Sequence, residues 1–159
     1  MARKIDRSAA RTVVGTLYPA PYDQPCLKRE RTRLGDVAGL TQFGVNLCRL
    51  PPGAWSAQRH WHEREDEFVY VLEGEVTLVT DGGEEVLRPG DCAGFKAGDA
   101  DGHCFQNRSD RDAVILEVGS RAAGGDTVAY PGIDLRIVAG MPGYAHADGR
   151  PYPVTPRKG

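Results

Sequence analysis

Two histidines two positions apart, His60 and His62, lie in a stretch that begins at Gly53 and ends at Glu67. On a strand that spacing points both imidazoles to one face. Neutral imidazoles on a shared face are ligands for zinc, iron, copper, nickel or manganese. Glu67 follows His62 by five positions, an odd offset, so on one straight strand it would face away. The charged run Glu63-Arg64-Glu65-Asp66 is therefore expected to be a turn. Glu67 would open a return strand beside the histidines and on their face. Val69 and Val71 share that side, and Phe68, Tyr70 and Leu72 take the other. His103 opens a further predicted strand, with Phe105 and Asn107 alternating behind it. His60 and His62 alone are a weak signal, because two histidines on a solvated rim would look the same. Glu67 and His103 in strand context complete a predicted ligand set of His60, His62, Glu67 and His103. Three nitrogens and one carboxylate leave positions open on a five- or six-coordinate divalent ion, as a catalytic or ligand-binding metal requires. Iron, manganese, nickel and zinc all fit such donors. The pocket around them is expected to be apolar, from Val69, Val71 and Phe105.

The elements that must position these donors are short. Twenty glycines and eleven prolines are spread along the chain, and runs rich in Val, Leu, Phe and Tyr lie between them. That pattern predicts strands over 28–34, 41–50, 67–72, 75–80, 84–87, 92–96, 103–107 and 113–119. Glu73-Gly74, Asp81-Gly82-Gly83 and Arg88-Pro89-Gly90-Asp91 read as tight turns, and 107–112 as a polar loop. No helical periodicity persists beyond a turn or two. Many strands with short connections imply an all-β sandwich or closed barrel. The barrel is expected over 28–120. Pro, Gly and Tyr are denser in 1–27 and 121–159, which read as arms wrapped over it.

The 159 residues suit one domain with a proper core, and 40% hydrophobic with 26% charged residues is an ordinary globular composition. A formal net charge of −2 gives no broad attraction to phosphate backbones, so nucleic acid is not an expected partner. No apolar run approaches the roughly 20 residues that cross a bilayer. The basic opening residues Arg3, Lys4, Arg7 and Arg11 have no apolar stretch behind them, so a cytoplasmic location is expected. None of Cys26, Cys48, Cys92 and Cys104 forms a C-x-x-C pair. Cys48, Cys92 and Cys104 fall among apolar residues and are expected to be buried, reduced thiols.

The segment from Gly53 to Gly74, G-x6-H-x-H-x4-E-x6-G, resembles the first motif of the cupin family, with one extra residue before the first histidine. The segment from Gly90 to Asn107 resembles the second. Lys96 stands where that motif has proline, and the interval from Gly98 to His103 is longer than usual, as in one bacterial branch. The resemblance extends less specifically to 34–46 and to the tail around Tyr130 and Tyr152. It implies a jelly-roll-like double-stranded β-helix with metal ligands at His60, His62, Glu67 and His103. The branch resembled consists of small bacterial single-domain cupins, some of which carry the name sugar-phosphate isomerase.

Other residues have plainer accounts. Tyr70 points away from Glu67 and is expected in packing or an interface. Lys96 reads as a solvated turn residue, although either could serve as a proton donor or cation near the site. His146 is expected on an exposed loop. Arg59 is expected to pair with the acidic run at 63–66. Trp55 and Trp61 are expected to pack. Three functions remain open at this point. The first is a metalloenzyme of isomerase, epimerase or non-haem oxygenase type acting on a small polar molecule. The second is a binding or sensing module, and the third a structural protein braced by its metal. A homodimer is expected, because related barrels commonly pair through an outer sheet face.

Overall fold

A computed structural model describes residues 4–153. Its strands in chain order are β1 (Thr12–Val14), β2 (Glu30–Arg33), β3 (Phe43–Leu50), β4 (Trp61–His62), β5 (Glu67–Glu73), β6 (Val76–Thr80), β7 (Gly83–Leu87), β8 (Cys92–Phe95), β9 (Cys104–Gln106), β10 (Ala113–Ser120), β11 (Val128–Ala129) and β12 (Arg136–Ile137). A single α-helical turn, Leu34–Val37, follows β2 and cuts short the strand predicted over 28–34. The eight predicted strands are all present. The four that the alternation missed, β1, β4, β11 and β12, have two or three residues each, too few to show a period. No described helix is long and apolar enough to cross a membrane.

Two layers face each other. One is an antiparallel six-stranded sheet in the order β1-β2-β3-β10-β5-β8. The other is built from two three-stranded sheets, β12-β11-β4 and β7-β6-β9. Backbone pairing of His60 with His103, and of Trp55 with Gln106, stitches these two sheets together. His60 N donates to His103 O at 3.1 Å, and His103 N to His60 O at 2.9 Å. Both arms therefore carry strands: β1 extends the first layer, and β11 with β12 extends the second through β4. The result is a double-stranded β-helix, closed so that few strand edges remain exposed.

The core fills one end of the space between the layers. Cys48, Leu50, Val71, Val76, Ala113 and Ile115 lie fully buried there, beside Phe105 and Leu87. Burying each large aliphatic side chain contributes about 1.5–3 kcal/mol. On β5 the predicted parity holds, with Val69 and Val71 inside and Phe68, Tyr70 and Leu72 exposed at 42%, 37% and 41%. A second cluster, Tyr18, Cys26, Val128, Tyr130 and Leu135, ties the two arms to each other and to Trp55. Trp55 thus packs as expected. Cys26, Cys48 and Cys104 are buried free thiols, but Cys92 is exposed, because it faces outward beside Tyr70. Buried Asn107 shapes the 107–112 loop, donating to Leu50 O and Arg111 O at 2.7 Å each and accepting from Ser109.

β5 ends in a bulge, where Ile115 pairs with Val71 but Val114 pairs with Glu73. The chain then turns at Gly74, whose φ of 73° lies in the left-handed region. A Cβ there would stand 2.4 Å from Asp112 O and 2.8 Å from Ala113 Cα. Gly74→Ala is expected to destabilise the fold by about 2 kcal/mol or more in urea unfolding. Gly82→Ala meets only Thr80 Oγ1 at 3.6 Å. It should stay within about 0.5 kcal/mol of the parent, and equal effects would remove the steric account.

Candidate metal centre

The stitch between the second-layer sheets sets the histidines. His60 and His103 are directly opposed across the backbone pair, and their ring centroids lie 4.8 Å apart. His62, two residues beyond His60 on the same face, has its ring 5.0 Å from that of His60. His103 is also fixed by Phe95, stacked at 3.5 Å with planes 5° apart.

Glu67 reaches this group from a different direction than expected. β5 pairs with β10 and β8, not with β4. Glu67 is therefore not on a return strand beside the histidines; it comes from the facing layer. The 63–66 run carries the chain across, and the segment after β10 holds it there. Ser120 N donates to Asp66 O, Ala122 N to the Glu65 carboxylate, and Glu63 N to Thr127 O. The acidic run caps backbone amides, Ala97 N among them, so it does not serve as the partner of Arg59. Arg59 pairs instead with Asp81 and reaches Pro131 O.

The ligand atoms converge. Nε2 of His60, His62 and His103 lie 3.4, 3.3 and 2.8 Å from Glu67 Oε2. Donors about 2.1 Å from one ion would be spaced by roughly 3 Å. His60, His62 and Glu67 form a cluster whose donor atoms are all within 4.8 Å of one another, whereas His103 stands outside that cluster and meets it at Glu67 Oε2. The outer nitrogens set the tautomers. His60 Nδ1 donates to Gln58 O at 2.8 Å, and His62 Nδ1 to Asp126 Oδ2 at 2.6 Å. Both rings thus present an Nε2 lone pair to the centre. His62 Nε2 is buried without a hydrogen-bond partner, as is the outer Nδ1 of His103. An orphaned imidazole nitrogen aimed at a carboxylate with two neighbouring imidazoles fits a divalent cation.

Without a cation, protons take its place. Burial would raise the Glu67 pKa, but His103, His60 and His62 together hold its carboxyl well below the usual range. Burial opposes charge on His62 as well, yet Glu67 and Asp126 outweigh it and lift its pKa to about 9. Burial dominates at His103 and lowers its pKa, with help from the neighbouring imidazoles.

The centre opens into a cleft of about 290 Å³. Val69 and Phe105 line it as expected, but Val71 lies in the core beneath, and polar surface makes up half of the wall. Arg29, Arg31, Asn46, Ser56, Glu117 and the tyrosines 18, 130 and 144 all contribute. A second cleft, of about 330 Å³, opens on the other side of His62 and His103, and Trp61, Phe95 and the exposed Lys96 line it. Trp61 is thus a cleft wall, whereas Trp55 packs into the arm cluster. Tyr70 lies on the outer sheet face, away from both clefts. His146 is half-buried, not exposed: Nδ1 meets Asp134 at 2.6 Å and its ring stacks on Tyr152 at 3.8 Å, clasping the C-terminal arm.

Asp126, Arg29, Arg31 and Glu117 were missed in the sequence. Asp126 is 64 residues from His62, and no local pattern announces it. The arginines did leave a signal, since Arg29 and Arg31 share the period of a strand face. Asp126→Ala is expected to weaken metal binding about 10–100-fold in a chelator competition, because it frees the His62 ring. Asp134→Ala, which releases His146 and Ala147 N on the C-terminal arm, should leave that affinity within about twofold; matching losses would rule out the positioning role.

The cupin domain pattern matches residues 46–119. A sugar phosphate isomerase of the cupin superfamily from Silicibacter pomeroyi is 43% identical, with a TM-score of 0.87 over 95% of this chain and 97% of its own. A second structure, from Acidithiobacillus ferrooxidans and given the sugar phosphate isomerase name provisionally, is 36% identical with a TM-score of 0.64 over 69% of each chain. The polyketide cyclase RemF from Streptomyces resistomycificus shares the fold alone, at 20% identity and a TM-score of 0.59 over 92% of this chain and 86% of its own. Among curated proteins nothing matches. With the barrel, both motifs and a relative matched nearly end to end, the chain belongs to the cupin superfamily.

Proposed function

We propose that this protein is a metal-dependent cupin enzyme of isomerase type, acting on a small polar molecule. One divalent ion would be held by His60, His62, Glu67 and His103. The observation that carries this reading is the convergence of three imidazole Nε2 atoms on one half-buried carboxylate, with His62 Nε2 left without a hydrogen bond. A bound ion would act as a Lewis acid on a substrate carbonyl or hydroxyl oxygen. The chain's own groups supply the surroundings. Tyr18 and Tyr130 line the cleft with neutral hydroxyls, which would hydrogen-bond substrate oxygens there. Asp126 and Gln58 O keep two of the rings from turning. The isomerase type is preferred to an oxygenase because the relative from Silicibacter pomeroyi carries that name at 43% identity. The free thiols suit a reducing cytoplasm, the compartment we propose.

The proposed assembly is a homodimer. Tyr70 on the outer face of the six-stranded sheet is flanked by Leu116, and Leu116 by Leu47. With exposed Phe68 and Leu72 they make an apolar row that a monomer would leave in water. A second copy of the same face covers it. Light scattering should give twice the chain's mass, and Tyr70→Lys should reduce it to the monomer. A monomeric parent protein would end this assignment.

Elemental analysis of protein purified without added metal should find one divalent ion per chain. His60→Ala, His62→Ala and His103→Ala should each lose it, while His146→Ala should keep it. Equal content in all four variants would sink the metal assignment. Manganese-loaded protein should interconvert aldose and ketose phosphates in a proton NMR assay. A cobalt-loaded form whose visible spectrum responds to those sugars without turnover would make the protein a binding module instead.

A further inference from the structure

The cleft wall gathers several charged side chains around the candidate metal centre. Its lining carries Arg29, Arg31 and Arg121 against Glu65, Glu67 and Glu117. A divalent ion on Glu67 leaves the cleft cationic. Of these arginines, Arg29 is buried and Arg31 is half-buried at the cleft wall.

Glu117 holds Arg31 as an ion pair: Nη2 donates to Oε1 at 2.8 Å, while Nε lies 2.7 Å from Oε2 without making a hydrogen bond. Nη2 also lies 3.3 Å from Ser56 O. That grip fixes the guanidinium plane and leaves Nη1 without a hydrogen-bond partner among the described residues. Arg29 is only 8% exposed and meets no carboxylate. Its Nε donates to Gly15 O at 3.1 Å and its Nη1 to Ser56 O, and its guanidinium lies 5.8 Å from the centre of the Tyr18 ring. Its Nη2 has no partner among the described residues. A buried guanidinium held only by carbonyls and a ring is an incompletely compensated charge, which is costly unless something else brings the counter-charge. Planar guanidinium edges match the oxygens of a carboxylate or a phosphate.

We propose that Arg31, oriented by Glu117, and Arg29 form an oxyanion-binding subsite in the metal cleft. The natural ligand is then a small molecule with a carboxylate or phosphate at the arginine end and a metal-binding oxygen at the other. A cleft of about 290 Å³ is at the small end of ligand pockets, which keeps the ligand small. The inference rests on the metal reading above for the second anchor, but the arginine anchor can be tested without it.

The test is calorimetric titration of methyl phosphate, acetate and uncharged ethylene glycol into manganese-loaded and chelator-stripped protein, with metal content measured on every sample. At least one anion should bind and ethylene glycol should not; whichever anion binds tighter identifies the ligand's charged group. Glu117→Gln removes the negative charge that competes for Arg31 and should tighten anion binding at least threefold. The paired change Arg31→Gln with Glu117→Gln, which removes the ion pair without stranding either charge, should weaken it at least tenfold at unchanged metal content. Should the pair fail to fold, Arg31→Lys keeps the charge without the planar guanidinium and should bind at least fivefold more weakly. Anion affinity that ignores all three variants would mean that the metal alone holds the anion, and would overturn the subsite. So would a wild-type protein that binds neither anion. If the protein takes up no metal, the metal reading fails, while the arginine dependence in stripped protein still decides this one.

Discussion

Glu67 is a carboxylate set between two sheets, and the arrangement of the molecule follows from what it takes to keep it there. An ionised carboxylate removed from water loses several kcal/mol unless it is paired. Here the pairing comes from three imidazoles on the facing layer. Those imidazoles sit on two chain segments that hydrogen-bond to each other only through the His60–His103 stitch and its neighbours. The carboxylate can be satisfied only if both layers and the seam of the second layer are in register. The site is therefore also a constraint on the fold, and the apolar end of the barrel, around Val71 and Ile115, supplies the stability that lets this polar end exist.

The strands and the face of β5 were legible in the sequence because alternation is a local property. Phe68, Tyr70 and Leu72 out, with Val69 and Val71 in, needs only the pleat. The ligand types were legible for the same reason, since two histidines at strand spacing can be recognised without knowing what faces them. The layer to which Glu67 belongs was not. An odd offset across a charged run says that the chain changes direction, but a return strand and a crossing to the facing sheet both satisfy it. What decided between them was the segment after β10, which ties down Glu63, Glu65 and Asp66 from more than fifty residues away. The pairing of Arg59 with Asp81 escaped for the same reason, and so did the outward face of Cys92, whose apolar neighbours suggested burial.

The arms complete the centre as well as cover it. The domain pattern stops at residue 119, so Asp126 and Tyr130 lie beyond it and Tyr18, Arg29 and Arg31 before it. Without β11 beside β4, His62 would lose its Asp126 anchor. Without the first arm, Arg29 would lose Gly15 O, and the tyrosine cluster that joins the arms would not form. The barrel supplies the candidate metal donors and Glu117, while Asp126, Arg29 and Arg31 come from outside the matched pattern. The Silicibacter pomeroyi relative covers nearly the whole chain, arms included, whereas RemF shares the fold alone. The first comparison bears on function for that reason, and the second only on architecture.

Strand β5 shows how one element serves both ends of the barrel. Its inward side chains run from Glu67 through Val69 to Val71, from the polar centre through the cleft wall into the core, over five residues. Beyond Val71 the bulge and Gly74 end the strand and turn it into β6, which lies in the other layer. A slip of one residue along β10 would bring Phe68 and Tyr70 inward and put Glu67 in water, so the register cannot drift without dismantling core and centre together. Glu117 is opposite Val69 on β10 and holds Arg31 on β2, so the same register also places the guanidinium. Glu67, the cleft cation and the core packing of β5 are thus set by one pairing, β5 with β10. The barrel can then carry a polar, incompletely compensated cleft at one end because that register is fixed by apolar contacts at the other.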